Sequence, residues 1–168
     1  MYACPFFLAQ LNWTTVEAGS KRNQIPAQAQ AGGDVRILNE KAGERLLKAL
    51  QKKISESKQV ADTTTQVRIE PGRPPYVAGP KGEALARRAQ AIYQELDGRK
   101  LILIPHTFGG TDAGYAARSG KPAVLESLGL AGWGYHARNE YIEIDSIAPR
   151  LYLASRLLIE LGKDYSRP

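Results

Sequence analysis

Residues 105–145 read PHTFGGTDAGYAARSGKPAVLESLGLAGWGYHARNEYIEID, and the rest of the chain is interpreted around them. The stretch holds two glycine-rich turns, a short apolar run between them and a histidine at the tip of the second turn. Glycine lacks a Cβ, so backbone at such turns comes close to whatever faces it. After Gly109 and Gly110, Thr111 can cap a helix whose first turn carries Asp112, a carboxylate suited to the positive end of the helix dipole. That helix is expected over 113–119, with Gly120 ending it. Residues 122–125, PAVL, read as a short buried strand. Gly129, Gly132 and Gly134 then form a loop that delivers Tyr135 and His136. A helix N-terminus beside a glycine loop suits an anion, and a neutral imidazole on a loop is a common metal ligand.

Downstream, residues 147–161 form an apolar helix, with Leu151, Leu153, Ala154, Leu157, Leu158 and Leu161 expected to face inward. Upstream, residues 101–104, LILI, read as a fully apolar strand, preceded by an amphipathic helix over 82–96 through Leu85, Ala89, Ile92 and Leu96. Residues 73–80, RPPYVAGP, are dense in proline and glycine and mark a domain boundary. Before it, residues 11–16 (LNWTTV) read as a strand and residues 27–38 contain a second, clearest at 34–37 (DVRI), which together suggest an antiparallel pair. Asn39 caps a helix over 39–57 with Leu46, Leu47, Leu50 and Ile54 on one side and Lys48, Lys52 and Lys53 on the wet side. Residues 66–70 are expected as a third strand, ended by Pro71-Gly72. The fold class is therefore α/β. A β-β-α-β portion, 1–72, resembles part of a ferredoxin-like unit. A second portion, 73–168, alternates short apolar strands with helices, the pattern of a largely parallel sheet.

With 168 residues, 43% of them hydrophobic, the chain can bury a core. Its one cysteine, Cys4, excludes an internal disulfide and reads as a small apolar packing residue. A net charge of +6 favours anions in general, but the basic residues are scattered and not interleaved with aromatics, which argues against nucleic acid. Nothing approaches the ~18 consecutive apolar residues of a membrane span. The opening MYACPFFLAQ lacks a basic flank and a clear cleavage site, so it makes a poor signal peptide and leaves the cytoplasm as the default compartment, although a parent enzyme can be exported. Gly132-x-Gly134 lacks the third glycine and helix start of a dinucleotide fingerprint.

Two segments resemble a known family. Residues 109–147, GGTDAGYAARSGKPAVLESLGLAGWGYHARNEYIEIDSI, followed by an apolar helix, are similar to the C-terminal segment of the zinc-dependent amidohydrolases. These include glutamate carboxypeptidases of the carboxypeptidase G type, aminoacylases and acetylornithine deacetylase. Residues 12–37, NWTTVEAGSKRNQIPAQAQAGGDVRI, and 67–76, VRIEPGRPPY, resemble the lid, or dimerisation, domain of the same enzymes. The resemblance implies a lid that often pairs with another subunit, and a zinc-exopeptidase-like catalytic domain with two zinc ions bridged by an aspartate. His136, in the GYH turn, matches the last metal ligand. Asn23 and Arg36 match lid residues that hold the substrate's carboxylate or its scissile carbonyl oxygen, and Arg73 matches a second basic lid position. Gly109, Gly110 and Thr111 match the glycine turn whose backbone faces the substrate. An arginine fork suits a carboxylate, and a glycine-fixed loop can aim an imidazole at zinc.

The same resemblance implies a substrate, small molecule or peptide, with a free carboxylate, cleaved at a C-terminal glutamate or an N-acyl amino acid amide bond. It also implies metal ligands and a general base that have no counterpart in this sequence: a histidine-x-aspartate pair, a bridging aspartate, paired glutamates and a further acid. One family ligand does not hold a catalytic zinc, which takes about three protein ligands. The chain is therefore expected to be the C-terminal part of such an enzyme, inactive alone, joined by a missing N-terminal part or paired as a homodimer through its lid strands. The competing expectation is a non-catalytic dimerisation or binding module. From residues alone, His136 also reads as a structural loop histidine, Arg36 as an exposed strand residue, and Asn23 and Arg73 as turn residues. Glu126 and Glu140 read as surface carboxylates or as partners of His136, and His106 as a solvent-facing loop residue.

Overall fold

A computed structural model describes residues 8–56 and 60–165, with side chains to residue 163. Cys4 and most of the opening MYACPFFLAQ lie outside the described residues, as does Ser57, where the first helix was expected to end. The order is β1 (Ala9–Ala18), β2 (Ala29–Ile37), α1 (Glu40–Glu56), α2 (Pro80–Gln94), α3 (Ala113–Ala117), β3 (Gly132–Trp133), β4 (Tyr141–Ile142), a 3-10 turn (Ile144–Ser146) and α4 (Ile147–Tyr165). The described residues form a mixed α/β arrangement with two small antiparallel sheets. It divides into two compact units, one of residues 1–77 with 106–110, the other of 78–105 with 111–168.

In the first unit β1 and β2 pair antiparallel, with Ala9 opposite Ile37 and Ala18 opposite Ala29, and a bulge between Trp13 and Thr15. The expected hairpin is present. Alternation along β2 leaves Val35 and Ile37 half-buried and Asp34 and Arg36 on the other face. α1 packs close because Gly43 has no side chain: a Cβ there would sit 3.1 Å from Ile37 Cδ1. Asn39 caps the helix as expected, its Oδ1 accepting from the Ala42 amide at 2.9 Å. Leu46, Leu47, Leu50 and Ile54 form its half-buried side.

The core of the second unit lies where α2 meets α4. Ala89 and Ile92 pack with Leu153 and Leu157, and Leu85, Tyr93, Leu101, Leu125, Leu128 and Tyr152 gather around them. Pro80 opens α2, where a missing N–H costs nothing. Glu95 ties the helices at their rim: Arg156 donates to it from Nε at 3.2 Å and Nη2 at 3.1 Å, and the Tyr152 hydroxyl donates as well. Those bonds, Arg156 first, hold the Glu95 carboxyl below the ordinary glutamate range and push the Arg156 guanidinium up. Arg88 Nε donates to Glu160 Oε2 at 2.7 Å across the same pair of helices.

Several expectations are corrected. Residues 66–70, 101–104 and 122–125 are extended but belong to no strand, because no backbone ladder joins them to a neighbour among the described residues. Ile102 and Ile104 are 82% and 76% exposed, so LILI is not a buried strand. A largely parallel sheet is likewise absent among the described residues; both sheets are antiparallel pairs. On α4, Leu153 and Leu157 face the core while Leu151, Leu158 and Leu161 are exposed. The helical turn explains this: positions four apart share a face, and 151 and 158 fall off it. No helix among the described residues is long and apolar enough to cross a membrane.

Leu153 is fully buried and Leu158 is 71% exposed on the same helix. Leu153→Ala is expected to lower unfolding stability by about 2–5 kcal/mol, and Leu158→Ala to stay within about 0.5 kcal/mol, measured by urea denaturation.

Candidate functional site

The first unit brings two of the expected substrate residues to one point. Arg36 is the penultimate residue of β2, opposite Gln10. Arg73 sits at a bend directly after Pro71-Gly72. A Cβ built on Gly110 would lie 3.2 Å from Nη1 of Arg36 and 3.2 Å from Nη1 of Arg73. A side chain at this position would push both guanidinium groups back by a few tenths of an ångström. Gly109 stands one residue earlier, its amide donating to Thr107 Oγ1 at 3.2 Å. The cluster is cationic and exposed, and two planar forks converging on one place match the geometry of a carboxylate.

Arg36 does not stand alone on its strand. Its Nε donates to Asp34 Oδ2 at 2.7 Å. Asp34 was not singled out from sequence; the signal was available in the spacing, since residues two apart on a strand share a face. Asn23 is not brought to this point. It lies in the turn between β1 and β2, where the Gln24 amide donates to the Lys21 carbonyl at 3.4 Å. Arg36 is at the other end of the hairpin, so roughly 20 Å of strand separates them. The β1–β2 connection does form a shallow hollow of about 270 Å³ lined by Gly19, Lys21, Gln24 and Pro26 among others.

The second unit holds Thr111 and His136. Thr111 Oγ1 accepts from the Ala113 amide at 3.2 Å, the capping role read from sequence, while the Asp112 side chain makes no cap bond to α3. His136 sits at the turn joining β3 and β4, where Gly132 faces Ile142 and Trp133 faces Tyr141. Gly132 is obligatory: a Cβ there would collide with the Tyr141 carbonyl oxygen. Gly134 has φ 71° and His136 itself φ 66°, the left-handed region that histidine enters more readily than most side chains. Bonds from the Ala137 amide to the Gly134 carbonyl (2.8 Å) and from the His136 amide to Glu140 Oε2 (3.2 Å) hold the turn.

Glu140 thus serves the His136 backbone, and the imidazole remains on an exposed turn. Glu126 accepts from the Ser127 hydroxyl at 2.8 Å. Below the hairpin, the Ser146 hydroxyl accepts from the Ala131 amide at 3.1 Å and donates to the Glu143 carbonyl at 2.6 Å, fixing the hairpin's base at the start of α4. Trp133 Nε1 donates to Glu143 Oε1 at 3.2 Å. Among the described residues no group of three or more histidine, cysteine, aspartate or glutamate side chains converges as a metal site. His136 is therefore one candidate ligand, short of the about three that zinc takes.

Residues 8–160 match the profile of Peptidase family M20/M25/M40. Carboxypeptidase G2 of Pseudomonas sp. (strain RS-16) is 42% identical over 154 residues, which cover 91% of this chain and 36% of that protein. The chain therefore spans about a third of the length of the curated relative it matches.

Proposed function

Because the chain belongs to Peptidase family M20/M25/M40, we propose that it supplies the carboxylate-binding residues and one metal ligand of a zinc metallopeptidase or amidohydrolase that releases a C-terminal glutamate or cleaves an N-acyl amino acid. The observation that carries this reading is the convergence of Arg36 and Arg73 on Gly110. The two guanidinium groups bind the free carboxylate next to the scissile bond and so fix where that bond lies. Gly110 leaves the space between them open. His136 offers its imidazole to zinc from a turn that glycines and Glu140 hold in one shape. With further ligands from outside the described residues, a zinc ion held at His136 would supply polarisation of the scissile carbonyl and an acidified water. The described residues do not by themselves fit that metal, so the hydrolytic step needs ligands beyond them, and the 168-residue chain alone is proposed to be inactive.

A second reading, pairing of two copies through the β1–β2 sheet, is favoured by one feature. Trp13 and Val16 on β1 are 61% and 75% exposed, on a sheet that has two strands among the described residues. Solution mass measurement tests it: a dimer dissociated by Val16→Lys is expected, and a monomeric wild-type chain contradicts it.

The main reading is tested in a chimera in which residues 8–160 replace the matching segment of Carboxypeptidase G2. Hydrolysis of N-acyl-L-glutamate is expected. Arg36→Ala should raise KM about 10- to 100-fold, the loss of one charge-assisted fork, while His136→Ala should abolish turnover. An active chimera with the KM unmoved by Arg36→Ala overturns the carboxylate role, and zinc-dependent turnover by the 168-residue chain alone overturns the proposed incompleteness.

A further inference from the structure

We propose that Asp34 is a positioning residue for the carboxylate site: it holds the Arg36 guanidinium by its Nε edge so that the Nη1 end faces Gly110 beside Arg73. The inference rests on the function proposed above. Asp34 and Arg36 stand side by side on the face of β2 opposite the half-buried Val35 and Ile37. The Nε to Oδ2 distance is 2.7 Å, within the range of a charge-assisted bond. Both side chains remain 43% and 46% exposed, and exposed ion pairs of this kind add little to stability. What the bond supplies is direction. An unrestrained arginine samples many rotamers, and ordering it at the moment of binding opposes affinity.

Two further points support the assignment. A guanidinium offers donors along separate edges, so engaging Nε with Asp34 leaves the Nη groups to a ligand. Arg36 and Arg73 also bring like charges to one place at Gly110. The negative charge of Asp34 offsets part of that repulsion. On this view the spacing Asp34-Val35-Arg36 encodes the orientation of the fork as well as the strand.

The test follows the arginine Nε–Hε resonances of the 15N-labelled 168-residue chain, free and during titration with N-acetyl-L-glutamate, with Arg36→Lys assigning the Arg36 signal. In the wild-type chain the Arg36 Hε is expected to exchange slowly with solvent. Asp34→Asn should make it exchange fast and weaken N-acetyl-L-glutamate roughly tenfold, with backbone amide signals outside β2 unchanged, and Asp34→Glu should restore part of both. An Arg36 Hε and an affinity both unmoved by Asp34→Asn overturn the proposal. A wild-type chain that fails to bind N-acetyl-L-glutamate, while Asp34→Asn still releases the Arg36 Hε, overturns the carboxylate reading instead and leaves Asp34 as the residue that orients the fork.

Discussion

Two guanidinium groups reach toward one α-carbon that carries no side chain, and the chemistry attributed to this chain depends on that arrangement. Neighbouring cations on flexible stems ordinarily spread apart. Here Arg36 is fixed by the register of a strand, Arg73 sits at a bend after Pro71-Gly72, and Gly110 puts no side chain against either of them. The hairpin does more than carry Arg36. Its inner face packs on α1 through Ile37 against Gly43, which sets the outward face that holds Asp34 and Arg36. A displaced β2 register would turn both residues toward the helix, because a one-residue slip exchanges the faces of a strand.

The second unit answers a different constraint. Its core joins helices distant in sequence, Ile92 and Ala89 against Leu153 and Leu157, and the rim ion pairs of Glu95 with Arg156 and Arg88 with Glu160 follow the same line. The β3–β4 hairpin is seated at the start of α4 by Ser146. Its tip carries an imidazole on backbone in the left-handed region, a conformation that persists only where the surroundings determine it. Gly132 below and Glu140 beside it supply that determination, so the position of His136 is a property of the hairpin and not of the histidine.

The three long helices were legible in the sequence because each carries apolar residues spaced three and four apart, with Asn39 ahead of α1 as a cap; α2 begins at Pro80, which the sequence reading had placed in the boundary stretch. The first hairpin was legible for a similar reason, an alternation that its own partner strand completes. Residues 66–70, 101–104 and 122–125 were not, since a strand is defined by a neighbour to bond with, and apolar composition says nothing about whether one is present. The inward leucines of α4 were overcounted because a leucine-rich helix has more apolar positions than one face can bury. In the candidate site, Arg36, Arg73 and Gly110 were named from family resemblance, and the structure sets them together. It sets Asn23 at the far end of the hairpin. Asp34 escaped notice because an acidic residue on a strand looks like a solvated one until its partner's Nε is seen beside it.

A double-mutant cycle over Arg36 and Arg73, read as affinity for N-acetyl-L-glutamate, tests most directly the proposal that they share an anion. If both guanidinium groups hold one carboxylate, the loss from removing the second depends on the presence of the first, with a coupling of about 0.5–3 kcal/mol. Losses that simply add, or affinity untouched by either change, would mean that the two arginines meet at Gly110 without acting on a common ligand.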